Sequence, residues 1–173
     1  MKEKTIILET PRLLLQTWTE DDLESLYALY QHPDTLKFYH NKPLTLPQAQ
    51  RLLNELIEHQ KKHGFSLWAC QLKLTQQIIG FAGFMTLEDN LGIDLGYHFT
   101  RLVWGQGFAT EAAKHCLNYG FNNLSFERVL AMTNPNNQAS KRVLIKIGMI
   151  FQKQIIYKNK PFDLYQIDKN YPG

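Results

Sequence analysis

The residues best suited to chemistry lie in the run "WGQGFATEAA", which begins at Trp104. Gly105 and Gly107, one residue apart, lead straight into a helix-forming stretch. Glycine weakens regular structure, so such a pair marks an unusual backbone conformation or something held close to the main chain. A helix start leaves its first amides without partners and carries positive potential. Backbone N–H groups from Gly105 to Ala109 therefore suit a diphosphate. Small Ala109 keeps the wall low, and the Thr110 hydroxyl adds a donor. The dipole contributes only about 0.3–2 kcal/mol, so charge-assisted hydrogen bonds of about 1.5–3 kcal/mol each must carry the rest. The same residues also suit a strand-to-helix turn with no ligand. A dinucleotide fingerprint needs a third glycine where Thr110 stands, and no GxxxxGK phosphate loop occurs.

Other candidates are weaker. His59 and His63 have the i, i+4 spacing of a metal pair, but a solvated helix end is the favoured reading. Tyr39 and His40, between the first helices, are placed to line an acceptor groove or simply to pack. Cys70 and Cys116 sit in apolar surroundings without CxxC spacing, which reads as two reduced, buried thiols. A nucleophilic Cys116 has only the adjacent His115, on another helix face, as a partner.

The totals narrow the function classes. The chain has 173 residues and 44% apolar content, which suits one domain with a real core. A net charge of +3 with no run of like charges argues against direct nucleic-acid binding or a polybasic membrane patch, and slightly favours a polyanionic small ligand. The opening "MKEKTIILETP" is too short in apolar residues for a signal segment, and nothing approaches a membrane span. A cytoplasmic location is the expectation.

Positioning these residues requires a particular order of elements. "PRLLLQTW" reads as a strand. Thr19 with Asp22 forms a capping box for a helix presenting Leu23, Leu26, Tyr27 and Tyr30 on one face. Thr45 with Gln48 caps a second helix, striped by Ala49, Leu52, Leu53, Leu56 and Ile57 and stopped by Gly64. Strands "FSLWACQL", "QIIGFAGFMTL" and "GIDLGYHF" follow, then a helix from about Gly107 to Asn122. "RVLAMT" is a strand, "QASKRVLIKIG" a short helix, and the tail a hairpin with "KNKP" at its tip. The resulting order, β-α-α-β-β-β-α-β-α-β-β, predicts a mixed α/β fold with a mainly antiparallel central sheet flanked by helices.

With these residues assembled, the chain resembles the GNAT superfamily of N-acetyltransferases, and more narrowly its RimJ/RimL branch of ribosomal-protein N-terminal acetyltransferases. The resemblance rests on "ETPRLLLQTWTEDDLESLYALYQHPD", "IIGFAGF", "DLGYHF", "WGQGFATEAA" and "NPNNQASKRVLIKIGM" in that order, and covers nearly the whole chain. The broad superfamily pattern has Gln or Arg where Trp104 stands; within the branch a tryptophan there is usual.

The resemblance implies acetyl-CoA as co-substrate and no metal. Trp104, Gly105, Gln106, Gly107, Phe108, Ala109 and Thr110 would form the cofactor loop. Phe99 would offer backbone groups to the pantetheine amides, and Asn137 would bond the same arm or cap the next helix. Ser140 falls where a hydroxyl meets the CoA sulfur, or merely supports that helix start. Asp94 stands where glutamate is usual, as a base acting directly or through water, or as a strand carboxylate facing solvent. Glu111 is a rival carboxylate, and Asp163 a further one expected to line the acceptor pocket. The acceptor would be a primary amine on a protein, peptide or small molecule, handled by a monomer or homodimer. The competing class is a non-catalytic module of the same fold that binds CoA or a protein.

Overall fold

The computed structural model describes residues 3–38 and 42–170, so Tyr39 and His40 lie outside the described residues. Strands β1 (Ile6–Glu9) and β2 (Leu13–Gln16) open the fold, followed by helices α1 (Leu23–Leu29), α2 (Pro33–Leu36) and α3 (Leu46–His63). A meander of β3 (Leu67–Leu72), β4 (Ile78–Thr86) and β5 (Ile93–Phe99) leads into α4 (Phe108–Asn122). Then come β6 (Arg128–Thr133), α5 (Gln138–Lys146), β7 (Ile150–Tyr157) and β8 (Lys160–Asp168). The sheet has the order β1-β2-β3-β4-β5-β6-β8-β7, antiparallel throughout except where β5 meets β6.

Two elements go beyond the expected order. The N-terminal segment is a hairpin rather than one strand, because the Thr10 hydroxyl accepts from the Leu13 amide at 2.9 Å and turns the chain at Pro11. Helix α2 is a single turn, started by Pro33 at its first positions and capped by the His32 ring, which accepts from the Asp34 amide. Its four residues are too few for a helical period to show in the sequence.

The anticipated caps are present. The Thr45–Gln48 capping box starts α3, and Gly64 ends it in the left-handed region at φ 78°. Thr19 and Asp22 form their box around a short 3-10 turn that leads into α1. Strand alternation divides the core into two layers. Trp68 and Cys70 of β3 and Phe84 of β4 pack with Leu95, Phe99, Ala112 and Cys116 under α4 and α5. Ala69 and Phe81 turn the other way, against Leu26, Leu29, Leu53 and Leu56 of α1 and α3. Both cysteines are fully buried free thiols, and burial pushes both well above the ordinary thiol range, so Cys116 is core and not a nucleophile.

The contact between β5 and β6 sets the site. They run parallel and are registered only at Asp94 opposite Leu130. Thr100 N donates to Ile79 O, and Phe99 lies opposite Gly80, so alternation of antiparallel bonds turns the Phe99 main-chain groups away from β4. That edge faces the gap beyond the registered pair.

Candidate active site

A cavity of about 460 Å³ opens at this gap. Its walls come from Tyr97 to Phe99 of β5, the loop before α4, the first turn of α4, one side of α5 along its length, and α2 on the other face of the sheet. The cavity therefore reaches elements packed on both faces. Of the expected residues, Phe99, Trp104, Gly105 and Gly107 line it, as do Phe108, Ala109, Thr110, Asn137 and Ser140. Gln106, Asp94 and Asp163 do not.

The loop is built for its amides. Val103 N and Trp104 N bond back to Thr100 O and Arg101 O in a 3-10 turn. The Trp104 indole N–H then donates to the Phe99 carbonyl at 2.8 Å. This holds the loop against the end of β5 and occupies one acceptor position of the group expected to meet the pantetheine. Gly105 and Gly107 follow at φ 76° and 82°. A Cβ added at Gly105 would meet nothing within 4 Å, so the left-handed conformation, and not lack of room in the protein, demands glycine there. The first helical bond of α4 is Glu111 N to Gly107 O at 3.0 Å. Among the described residues, the amides of Gly105 through Thr110 have no protein acceptor. Gln106 contributes main chain only, since its exposed side chain bonds Leu102 O.

A support behind the loop is illegible in the sequence. The Glu111 carboxylate accepts from the Thr10 hydroxyl (2.6 Å), the Arg12 amide (2.9 Å) and Arg12 Nε (2.6 Å). Arg12 Nη1 donates to the Gln106 carbonyl at 2.9 Å, and its guanidinium lies 3.9 Å over the Phe108 ring. Burial alone would raise the Glu111 pKa, but the Thr10 and Arg12 donors outweigh it and hold the group below the usual carboxylate range. Glu111 is thus a clamp on the loop and not a free base. Arg12→Ala is expected to weaken acetyl-CoA binding about tenfold, in keeping with a charged hydrogen bond of ~1.5 kcal/mol, and to leave kcat within about twofold. Calorimetric titration beside steady-state kinetics reads that split.

At the other wall, Asn137 Oδ1 caps α5 by accepting from Ser140 N at 3.1 Å. The capping role is therefore realised, while its amide nitrogen has no protein partner among the described residues. The Ser140 hydroxyl lies 3.0 Å from the Tyr97 phenol, which also donates to the Ser140 carbonyl at 3.1 Å. Nothing in the spacing around Tyr97 marks it for chemistry. Alternation in "LGYHF" puts it on the face of Leu95 and Phe99, and that was the available signal.

The acids behave differently from expectation. Asp94 is half-buried on the opposite face of β5 from Tyr97, and its Oδ1 accepts from Met132 N at 3.0 Å. It thereby satisfies a β6 amide just past the point where the two strands stop pairing. Burial raises its pKa to about 7, and the Met132 bond opposes that only in part. Asp163 is 4% exposed and is held by Lys141 of α5 and by Gln154 Nε2 at 3.0 Å. Its expected place in an acceptor pocket is corrected to an anchor between β8, β7 and the start of α5. His59 bridges the Phe65 carbonyl and Thr86, and no group of three metal-ligating side chains occurs among the described residues.

Comparison with known proteins decides the family. A family profile described as "Acetyltransferase (GNAT) domain" matches residues 12–150. The chain belongs to the GNAT acetyltransferase family. It is 35% identical over 169 residues to the protein YkkB of Bacillus subtilis (strain 168), covering 96% of this chain and 97% of that one. It is 32% identical over 174 residues to the uncharacterized N-acetyltransferase YoaA of the same organism, covering 94% and 97%. Among solved structures it is similar to RimL, a ribosomal L7/L12 alpha-N-protein acetyltransferase in complex with coenzyme A. There the TM-score is 0.81 at 15% identity, over 95% of this chain and 98% of that one. The mixed α/β GNAT fold with a mostly antiparallel sheet is that expected from the sequence, with eight strands where the sequence order gives seven. The chain is an N-acetyltransferase of a family whose acetyl donor is acetyl-CoA.

Proposed function

We propose that this GNAT enzyme transfers the acetyl group of acetyl-CoA directly to a primary amine of low basicity, with a peptide or protein α-amine as the preferred class, as in the RimJ/RimL branch. The observation that carries the reading is the row of unpartnered amides from Gly105 to Thr110, opening into the cavity that also holds Ser140. The residues present fit the donor: left-handed glycines expose amides to a diphosphate, the outward edge of β5 at Phe99 suits the pantetheine amides, and the Asn137 side-chain nitrogen is free to join them.

Acetyl transfer forms an N–C bond and breaks a C–S bond. One proton must leave the amine, and the departing thiolate must gain one. Ser140 faces the cavity with the Tyr97 phenol behind it, so the serine hydroxyl donates toward the sulfur while the phenol restores its proton. Asp94 lies on the face of α1 to α3 and receives the amine proton through water. Its pKa of about 7 matches an α-amine at about 7.7–8.0, whose neutralisation near pH 7 costs roughly 1 kcal/mol. A lysine amine at about 10.4 costs roughly 4.6 kcal/mol on the same scale, which supports the α-amine class.

Acetyl-CoA at about 100 times its Kd is expected to stabilise the protein by roughly 2.7 kcal/mol, read by thermal denaturation. Free thiol should then be released with peptide N-termini ahead of lysine side chains. No stabilisation at millimolar donor would sink the reading. Binding without turnover across the amine panel would instead identify a CoA-binding module.

A further inference from the structure

An α-amine, at about 7.7–8.0, is still mostly protonated at pH 7, so the acceptor arrives as an ammonium ion. Asp34 of α2 is the one carboxylate among the described residues lining the cavity, and the Arg142 and Lys146 side chains that share it are cations. Helix α2 belongs to the layer of α1 and α3, so Asp34 reaches the cavity from the sheet face opposite α5. Other carboxylates of the fold are committed: Asp163 is buried against Lys141, and Glu111 clamps Arg12. Asp34 is held more loosely. Arg101 Nε donates to its Oδ2 at 3.2 Å, but the two side chains are 50% and 58% exposed, and so open an ion pair adds little to stability. His32 Nδ1, 4.0 Å from the same oxygen, accepts from the Asp34 amide and so brings no proton to the carboxylate. Arg101 also has a second resting place, since its guanidinium lies 5.0 Å from the centre of the Trp104 ring.

From this arrangement we infer that Asp34 is the docking counter-ion for the acceptor, whose ammonium replaces Arg101 on its carboxylate. That role rests on the acetyl-transfer reading above and says what selects the amine. One cation is exchanged for another, so Asp34 stays paired throughout, while Arg101 returns to water and the Trp104 ring. The chemistry lies elsewhere. A carboxylate held against an ammonium favours the protonated form, so the amine gives up its proton only as it moves on toward the thioester. Asp34 therefore governs acceptor affinity and not the transfer step, and it has no grip on an amine that is neutral in solution. Arg101 works against it: as the resident cation, it is the competitor that every acceptor must displace.

The test is steady-state kinetics at pH 7 with saturating acetyl-CoA, using a short peptide with a free α-amine and an arylamine that is neutral at that pH. Asp34→Asn should raise the peptide KM about tenfold with kcat within about twofold, the pattern of lost uniform binding, and leave the arylamine KM within about twofold. Arg101→Gln should move the peptide KM the other way, down about threefold, because the competing cation is gone. A merely structural ion pair predicts the same harm from both variants, since each breaks the same bond. Both positions are exposed, and unchanged thermal unfolding confirms that the variants fold. An unchanged peptide KM in Asp34→Asn, a peptide KM that rises in both variants, or an arylamine weakened as much as the peptide would overturn the docking role and leave the acetyltransferase standing. Failure of wild type to acetylate either amine would instead overturn the acetyl-transfer reading, and the docking role with it.

Discussion

Ser140→Ala and Tyr97→Phe are each expected to lower kcat by about 10²-fold or more, the range for removing a positioned proton donor, with acetyl-CoA affinity changed by less than about threefold. The reason is the geometry of the two hydroxyls. The Tyr97 phenol lies 3.1 Å from the Ser140 carbonyl and 3.0 Å from Ser140 Oγ, so its one proton can serve either oxygen. Serine alone is far too weak an acid to protonate a thiolate, and Tyr97 alone would have to reorient to reach it. The proposed role of the pair is a relay, and relays are not additive. The double variant should be no slower than the slower single variant, within about threefold. Pre-steady-state acetyl transfer, which isolates chemistry from product release, is the appropriate measurement. Two independent losses that multiply would refute the relay, and losses confined to Kd would make the pair a binding element.

The second large effect concerns Asp94. A base must be ionised to work, and burial places this carboxylate at about 7. With donor and acceptor saturating, kcat should rise with pH, levelling above about 7 and falling about tenfold per unit below it. Asp94→Asn keeps an oxygen for the Met132 amide but cannot accept a proton, so kcat at pH 8 should fall about 10²-fold and the limb near 7 should vanish. Stability should move the other way. A carboxyl whose folded pKa is raised favours folding only while protonated, so ionisation between pH 4 and 7 costs the wild type on the order of 2–4 kcal/mol. The asparagine variant escapes that cost, and its melting temperature relative to wild type should climb across the same window. An Asp94→Asn enzyme with unchanged kcat would show that the carboxylate serves only to satisfy the β6 amide.

What the sequence discloses divides by the range of the interaction. The loop is legible because its signal is local: two glycines, a small residue and a helix start lie within a few positions, and both glycines indeed take left-handed φ values. Helix α3 is equally plain, with a capping box at one end and Gly64 at the other. The N-terminal hairpin is hidden, because its first strand has only three apolar residues, Ile6 to Leu8, and its turn depends on one threonine hydroxyl. Contacts across the fold leave no trace in spacing. Tyr97 and Ser140 are 43 positions apart, and Arg12 reaches Glu111 over 99. Asp94 looks like an ordinary strand acid until the parting of β5 from β6 shows which amide it faces. Asp163 misleads for a similar reason: its partner, Lys141, sits on a helix that only tertiary packing brings to β8.

A crystal structure with coenzyme A bound tests the centre of the account most directly. It should place diphosphate oxygens about 3 Å from several of the amide nitrogens between Gly105 and Thr110, with the thiol beside Ser140 Oγ. A diphosphate bound on any other surface, with those amides left facing solvent, would contradict it.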